Sequence, residues 1–189
     1  EAKYMQHKFY ADKPSTFIMD ANQTIQIKEF WIFDNLLTSG FLNTSKNTLN
    51  LHIKSDKFRY EGEDANLSAK ADLYVNMDFF GKQKIQGTIT LLDGVISYEP
   101  PQDYVITDQD IIVAQDVKTN YNENRFIDVS IHSLHPISYK TKDIDIKVTP
   151  NIAVHQEFNK PLKLLGMLTV NEGKITTGDK EFVFDTSEV

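Results

Sequence analysis

The chain has 189 residues, with 20 Lys+Arg against 27 Asp+Glu and a formal net charge of −7. Its length fits one domain or one slab of a larger repetitive protein, and the acidic balance with no Lys/Arg cluster argues against nucleic acid and anionic membrane surfaces as partners. The absence of cysteine removes disulfides, thiolate-bound metals and thiol nucleophiles, and no run approaches the ~18 apolar residues of a spanning helix. No basic and apolar leader pattern follows Glu1, so the sequence reads as an excised piece whose leader or anchor would lie outside it.

In chain order, the first apolar knot is Phe30, Trp31, Ile32, Phe33, Leu36 and Leu37, the one candidate helix, which is too short and aromatic for periodicity to decide. Leu49, Leu51 and Ile53 then begin a two-residue alternation, which on a pleated strand sends every second side chain to one face. From Leu67 it becomes strict: Leu67, Ala69, Ala71, Leu73, Val75, Met77 and Phe79 alternate with Ser68, Lys70, Asp72, Tyr74, Asn76 and Asp78. Unbroken, this predicts a strand of about 40 Å at ~3.3 Å per residue. Ile85, Ile89 and Leu91 continue the pattern, as do Ile127, Val129 and Ile131, then Ile144, Ile146, Val148, Ile152 and Val154, and last Leu162, Leu164, Leu168 and Val170.

Turn chemistry separates these runs at Gly62, Gly81, Gly178, Pro100-Pro101 and the Asn-rich stretch from Asn120 to Asn124. Asp93-Gly94 and Glu172-Gly173 fit tight hairpin turns that need φ > 0. The whole reads as an all-β, mostly antiparallel meander in one segment spanning 1–189. There is also a long-period repeat. Gly87 to Ile96 lies over Gly166 to Ile175 at an offset of about 79 residues, with Leu73 on Ile152, Val75 on Val154 and Phe79 on Phe158, so the two units cover about 67–98 and 146–177. Units of this kind bury an apolar face by stacking on their neighbours.

The search for catalytic and metal motifs points away from an enzyme. His132 and His135 are the only histidines at ligand-like spacing, and on a strand an i, i+3 pair faces opposite ways. Asp108/Asp110 and Asp143/Asp145 pair on one face, as glycoside hydrolysis would use, but the apolar residues occupy the other face and a solvated outer surface is the simpler reading. Nucleophile elbow, zinc helix, phosphate-binding loop and calcium loop are all missing from the sequence. No cofactor is expected.

What remains is the apolar stripe. It is either the core of a closed sandwich or barrel, or the lining of a curved sheet left open to hydrocarbon chains. The second is favoured by the long alternation, by the repeat, and by small residues on the stripe (Ala69, Ala71, Gly87, Gly166) that leave space.

The run Gly87-Thr-Ile-Thr-Leu-Leu-Asp-Gly94-Val-Ile-Ser-Tyr98 is followed by Asp108-Gln-Asp110-Ile-Ile-Val113 and Asp143-Ile-Asp145-Ile-Lys-Val148. It is closed by Leu165-Gly166-Met-Leu-Thr-Val-Asn-Glu-Gly173-Lys-Ile and Lys180-Glu-Phe-Val-Phe184-Asp. In this order and spacing, over about 67–185, the sequence resembles the carboxy-terminal region of the TamB family and the wider AsmA-like group; residues 1–60 add little. The resemblance implies a long sheet curled into a U-shaped trough with an apolar concave face. It implies a periplasmic segment of a protein anchored in the inner membrane, a TamA-like outer-membrane partner of the Omp85 class, and roles in phospholipid transport and in outer-membrane protein and autotransporter assembly.

The expected groove lining is Leu67, Leu73, Val75, Met77, Phe79, Ile85, Ile89, Leu91, Ile127, Val129, Ile131, Ile144, Ile146, Val148, Ile152, Val154, Leu164, Leu168 and Val170. Phospholipid acyl chains are its expected ligand, at about 0.8 kcal/mol per shielded CH₂. The alternative is a scaffold that templates unfolded outer-membrane strands by β-augmentation. A closed β-solenoid and a sandwich glycosidase stand further off.

Overall fold

The computed structural model describes residues 2–4, 7–9, 13–32, 36–99 and 124–185. All of its regular structure is strand. Two short strands, β1 (Ala2–Tyr4) and β2 (His7–Phe9), pair with each other alone. The rest form one sheet: β3 (Thr16–Met19), β4 (Thr24–Ile32), β5 (Leu36–Asn43), β6 (Thr48–Glu61), β7 (Ala65–Asp78), β8 (Gln83–Ile96), β9 (Arg125–Ser133), β10 (Ile137–Lys140), β11 (Ile144–Gln156), β12 (Lys163–Thr177) and β13 (Lys180–Asp185). The apolar knot at Phe30 is no helix where it is described: Phe30 to Ile32 end β4 and Leu36 opens β5. Branched and aromatic side chains against the neighbouring strand favour the ladder over a helical turn.

From β3 to β8 the sheet is an antiparallel meander with sequential neighbours, and the same holds from β11 to β13. The two halves meet differently. Strand β9 runs parallel to β8, with Ile85 opposite Ile127 and Ile89 opposite Ile131, and antiparallel to β11. Strand β10 occupies the same lane, parallel to the end of β8 and antiparallel to β11, so β9 and β10 are one strand broken at Leu134-His135-Pro136. Proline cannot donate to a ladder, which suits a break there. Parallel neighbours need a crossover between them. The expected meander is therefore interrupted once, with the Pro100-Pro101, Asp108/Asp110 and Asn120–Asn122 signals outside the described residues.

Strand β7 matches the long alternation closely: it covers 14 residues, ending at Asp78. Phe79 lies in the turn that follows, half exposed at 51%.

Gly94 and Gly173 are not in hairpin turns. They sit inside β8 and β12, at φ 144° and 129°, beside β-bulges where one residue of the partner strand meets a register shift. Gly87 and Gly166 share the unusual backbone, at φ 139° and 127°. A Cβ on Gly87 would stand 2.1 Å from the Asp72 carbonyl oxygen, and one on Gly166 2.2 Å from that of Asn151. The glycines therefore permit close approach of strand to strand rather than reversing the chain. The offset of about 79 residues that relates the two sequence units also relates hairpin β7–β8 to hairpin β11–β12, glycine to glycine and bulge to bulge.

Candidate functional site

Residues directly opposite across a ladder share a face, so the registers sort the side chains. One cross-strand row runs Phe17, Ile27, Gly40, Leu51, Val75, Ile85, Ile127. The next runs Thr38, Ile53, Leu73, Gly87, Val129, Val154, Leu164. A third joins Ala71, Ile89, Ile131, Ile152 and Gly166, and a fourth pairs Phe58, Ala69 and Leu91. Toward the far end, Val148 lies between Ile137 and Val170, Pro150 opposite Leu168, and Ile144 opposite Ile175 and then Phe182. Leu67 faces Tyr60, Met77 faces Leu49, and Ile146 faces Tyr139 and Gly173.

Thus every expected lining residue except Phe79 falls on one side of the sheet. The opposite side carries Asn50, Asp72, Asn76, Lys84, Asp128, Asp145 and Lys147. Residues before Leu67 that the sequence reading left out of the lining extend the same face: Phe17, Ile25, Ile27, Phe30, Leu42, Leu49, Leu51, Ile53 and Phe58. Their alternation is visible in the sequence, but it is broken by bulges between Ile27 and Phe30 and between Ser55 and Phe58.

Burial along this face is uneven. Ala69, Ala71, Leu91, Val129, Ile137, Ile146 and Val148 are buried, all on the apolar side, and Ala69, Leu91 and Ile137 form a cluster with Phe58, Leu67, Ile89, Ile96 and Ile131 around it. The small residues expected to leave space do the reverse, Ala69 and Ala71 being 1% and 5% exposed. A methyl at Ala69 lets larger neighbours such as Phe58 and Leu91 close over it, and Ala71 sits between Ser55 and Ile89. Toward the sheet margins the stripe emerges: Phe17, Met19, Leu164, Leu168 and Phe182 are exposed, Leu164 to 67%. Between these extremes, Leu73, Val75, Met77, Ile85, Ile127, Ile144, Ile152, Val154 and Val170 are half-buried.

The polar side is held by surface pairs. His52 Nε2 meets Asp72 Oδ1 at 2.7 Å while its ring stacks on Tyr74, and Lys147 meets Glu172 at 2.5 Å. The hydrogen bond to Glu172 raises the Lys147 pKa above its ordinary value. Glu157 is held below the usual carboxylate range, first by its hydrogen bond with Lys160 and the charge of that ammonium. His132, one of the two histidines at ligand-like spacing, has its Nε2 3.0 Å from Thr90 Oγ1. No group of three or more metal-ligating side chains occurs among the described residues, and no helix there is long and apolar enough to cross a membrane.

Comparison with protein-family models, curated proteins and solved structures returns no match to this chain.

Proposed function

We propose that the chain is a periplasmic segment of a TamB-like protein, and that its apolar face, as the concave side of a U-shaped trough, binds phospholipid acyl chains and lets them pass along it. The observation that carries this reading is the continuity of the apolar face: it crosses from β3 to β13, buried around Ala69, Leu91, Ile137 and Val148, half-buried over the other residues of the middle strands, and bare at both margins. An apolar surface of that extent favours hydrocarbon contact, since each shielded CH₂ is worth about 0.8 kcal/mol. Among the described residues, no ring of charges along the face would arrest a sliding chain. On this reading the protein links an inner-membrane anchor outside the present sequence to a TamA-like outer-membrane partner, and it acts without chemistry of its own.

Native mass spectrometry of the purified chain, with lipid extraction from the same sample, tests the proposal. Leu168→Asp, at an exposed position of the stripe, is expected to keep the fold and to lower the amount of co-purified phospholipid severalfold. A lipid-free mass for the parent protein, or undiminished lipid in a folded Leu168→Asp variant, would count against it.

A second reading is favoured by one feature. Strand β13 pairs only with Glu172–Thr177 of β12, so the outer edge of β12 from Lys163 to Val170 has no ladder partner among the described residues. Leu164, Leu165, Met167 and Leu168 there are exposed on both sides. Such an edge is a template for an added strand. An outer-membrane β-strand captured there would make this segment an assembly scaffold, and Leu168→Pro, at a position opposite Pro150 whose N–H faces the open edge rather than β11, would abolish that capture while leaving lipid on the apolar face.

A further inference from the structure

The tips of the two repeated hairpins meet on the polar side of the sheet. After β11, Phe158 lies 5.8 Å from Phe126 between ring centroids, and Phe126 meets His155 edge-on at 6.0 Å. From the first hairpin, the Lys82 ammonium stands 4.8 Å above the Phe158 ring and the Lys84 ammonium 5.2 Å above that of Phe126. A cavity of about 350 Å³ opens beside them, with Asn50, Asn76, Lys82, Lys84, Asp78 and Phe158 in its wall. Asn50, Asn76 and Lys84 are in register across three strands, so both carboxamides and one ammonium line the same floor.

Around the cavity Lys82, Lys84 and Lys160 balance Asp78, Asp128 and Glu157, in a protein whose net charge is −7. Of the nearby carboxylates, Asp128 and Glu157 flank His155, and Glu157 also pairs with Lys160. Asp78 lines the cavity itself, but its Oδ1 accepts the Phe80 N–H in the hairpin turn. Lys82 and Lys84 form no ion pair with a described residue. Held over aromatic faces by cation–π attraction, they are positioned in advance for an anion.

We propose that this cavity binds the phosphate ester of a polyol, such as a glycerophosphate group, with the phosphate on Lys82 and Lys84 and the hydroxyls on Asn50 and Asn76. Two point-charge donors answer the phosphate oxygens, two carboxamides supply both donors and acceptors for hydroxyls, and the Phe158 ring covers the carbon skeleton. The polar groups of the site lie on the face opposite the apolar stripe, with only Leu49 and Met77 of that stripe bordering the cavity, so the phosphate and hydroxyl contacts stand whether or not the stripe carries lipid. The same group occurs free in solution and as a phospholipid headgroup, and the two sources are distinguishable.

Glycerol 1-phosphate, inorganic phosphate and glycerol are titrated into the ¹⁵N-labelled full chain, and separately vesicles of phosphatidylglycerol or phosphatidylcholine are tested by flotation. The expected result is that glycerol 1-phosphate moves the backbone amides of Asn50, Asn76, Lys84 and Phe158 at lower concentration than either fragment. Lys82→Gln and Lys84→Gln should each weaken it about tenfold, the worth of one charge-assisted hydrogen bond, and Asp78→Asn should tighten it. Flotation with phosphatidylglycerol that is lost in the double lysine variant would assign the headgroup as a source; glycerol 1-phosphate binding without flotation would assign the free ester. Equal shifts with inorganic phosphate, binding unchanged in a lysine variant with native circular dichroism, or no response to any probe would overturn the proposal. Asn50→Ala and Asn76→Ala, both at exposed or half-exposed sites, separate loss of hydroxyl recognition from loss of fold.

Discussion

Hairpins β7–β8 and β11–β12 are built from two copies of one sequence unit, yet they end in different surroundings. Their backbones agree: glycines at equivalent positions take the same positive φ, and the bulge falls at the same place. Their burial does not. Leu91 in β8 is buried, whereas its counterpart Val170 in β12 is half-buried, and Leu168, the counterpart of Ile89, is 56% exposed. Strand β8 has a neighbour on each side along most of its length, β7 on one and β9 with β10 on the other. Strand β12 has β11 on one side and only the short β13 on the other. Local geometry thus travels with the repeat, while burial belongs to the lane that the repeat occupies.

The sharpest challenge to this comparison is a methyl at the tight crossings. Gly87→Ala puts a Cβ against the Asp72 carbonyl in a backbone conformation nearly closed to other residues, and is expected to cost about 3 kcal/mol or more. Gly166→Ala creates an equivalent clash with Asn151, but β12 can shift toward its open side, so a smaller loss is expected. Urea unfolding midpoints of the two variants would decide the matter; equal losses would show that the ladder, not the lane, controls the response.

A gentler comparison truncates the counterparts on the apolar face. Leu91→Ala leaves a hole in the cluster with Ala69 and Ile137 and should cost roughly 2–5 kcal/mol. Val170→Ala, where water already reaches the side chain, should cost no more than about 1 kcal/mol. If the two prove alike in thermal unfolding, the apolar face is equally covered over both copies and the open margin does not exist in solution.

The smallest expected effect concerns the hairpin tips. Asp78 caps the first turn through the Phe80 N–H, while its counterpart Glu157 pairs with Lys160 instead. Because the folded Glu157 pKa is lowered, its contribution to stability is present above the ordinary glutamate value near ~4.3 and is lost as the pH falls through the folded value. Glu157→Gln should therefore reduce stability slightly at neutral pH and flatten the decline in acid, and salt near 1 M should remove most of the difference, since the pair is exposed. A variant with the parent's full acid slope would show that the pair does not hold the second tip.

The alternation from Leu67 to Met77 was enough to place β7 and the side its residues share, because a pleated strand leaves only two directions for a side chain. The same logic carried Ile127 to Ile131 and Ile144 to Val154 onto that side. It failed at Asp93-Gly94 and Glu172-Gly173, where an acidic residue before glycine has the composition of a hairpin turn but the chain continues through a bulge in mid-strand. It also misjudged Ala69 and Ala71, since a small side chain marks either an empty space or a tight contact, and only the neighbours across the ladder, Phe58 and Leu91 beside Ala69 and Ser55 and Ile89 beside Ala71, distinguish the two. The Lys82–Phe158 and Lys84–Phe126 contacts had no sequence signal at all, the paired residues being 76 and 42 positions apart.

Periodicity and turn chemistry, which act between adjacent residues, by themselves determined an all-β chain with one apolar side and a repeated hairpin. Lane order, the parallel joint at β8 and β9, the buried middle and bare margins of the apolar face, and the meeting of the two hairpin tips were decided only by the tertiary structure. Those features depend on which strand lies beside which, and a strand's alternation specifies the direction of its side chains without specifying its neighbour.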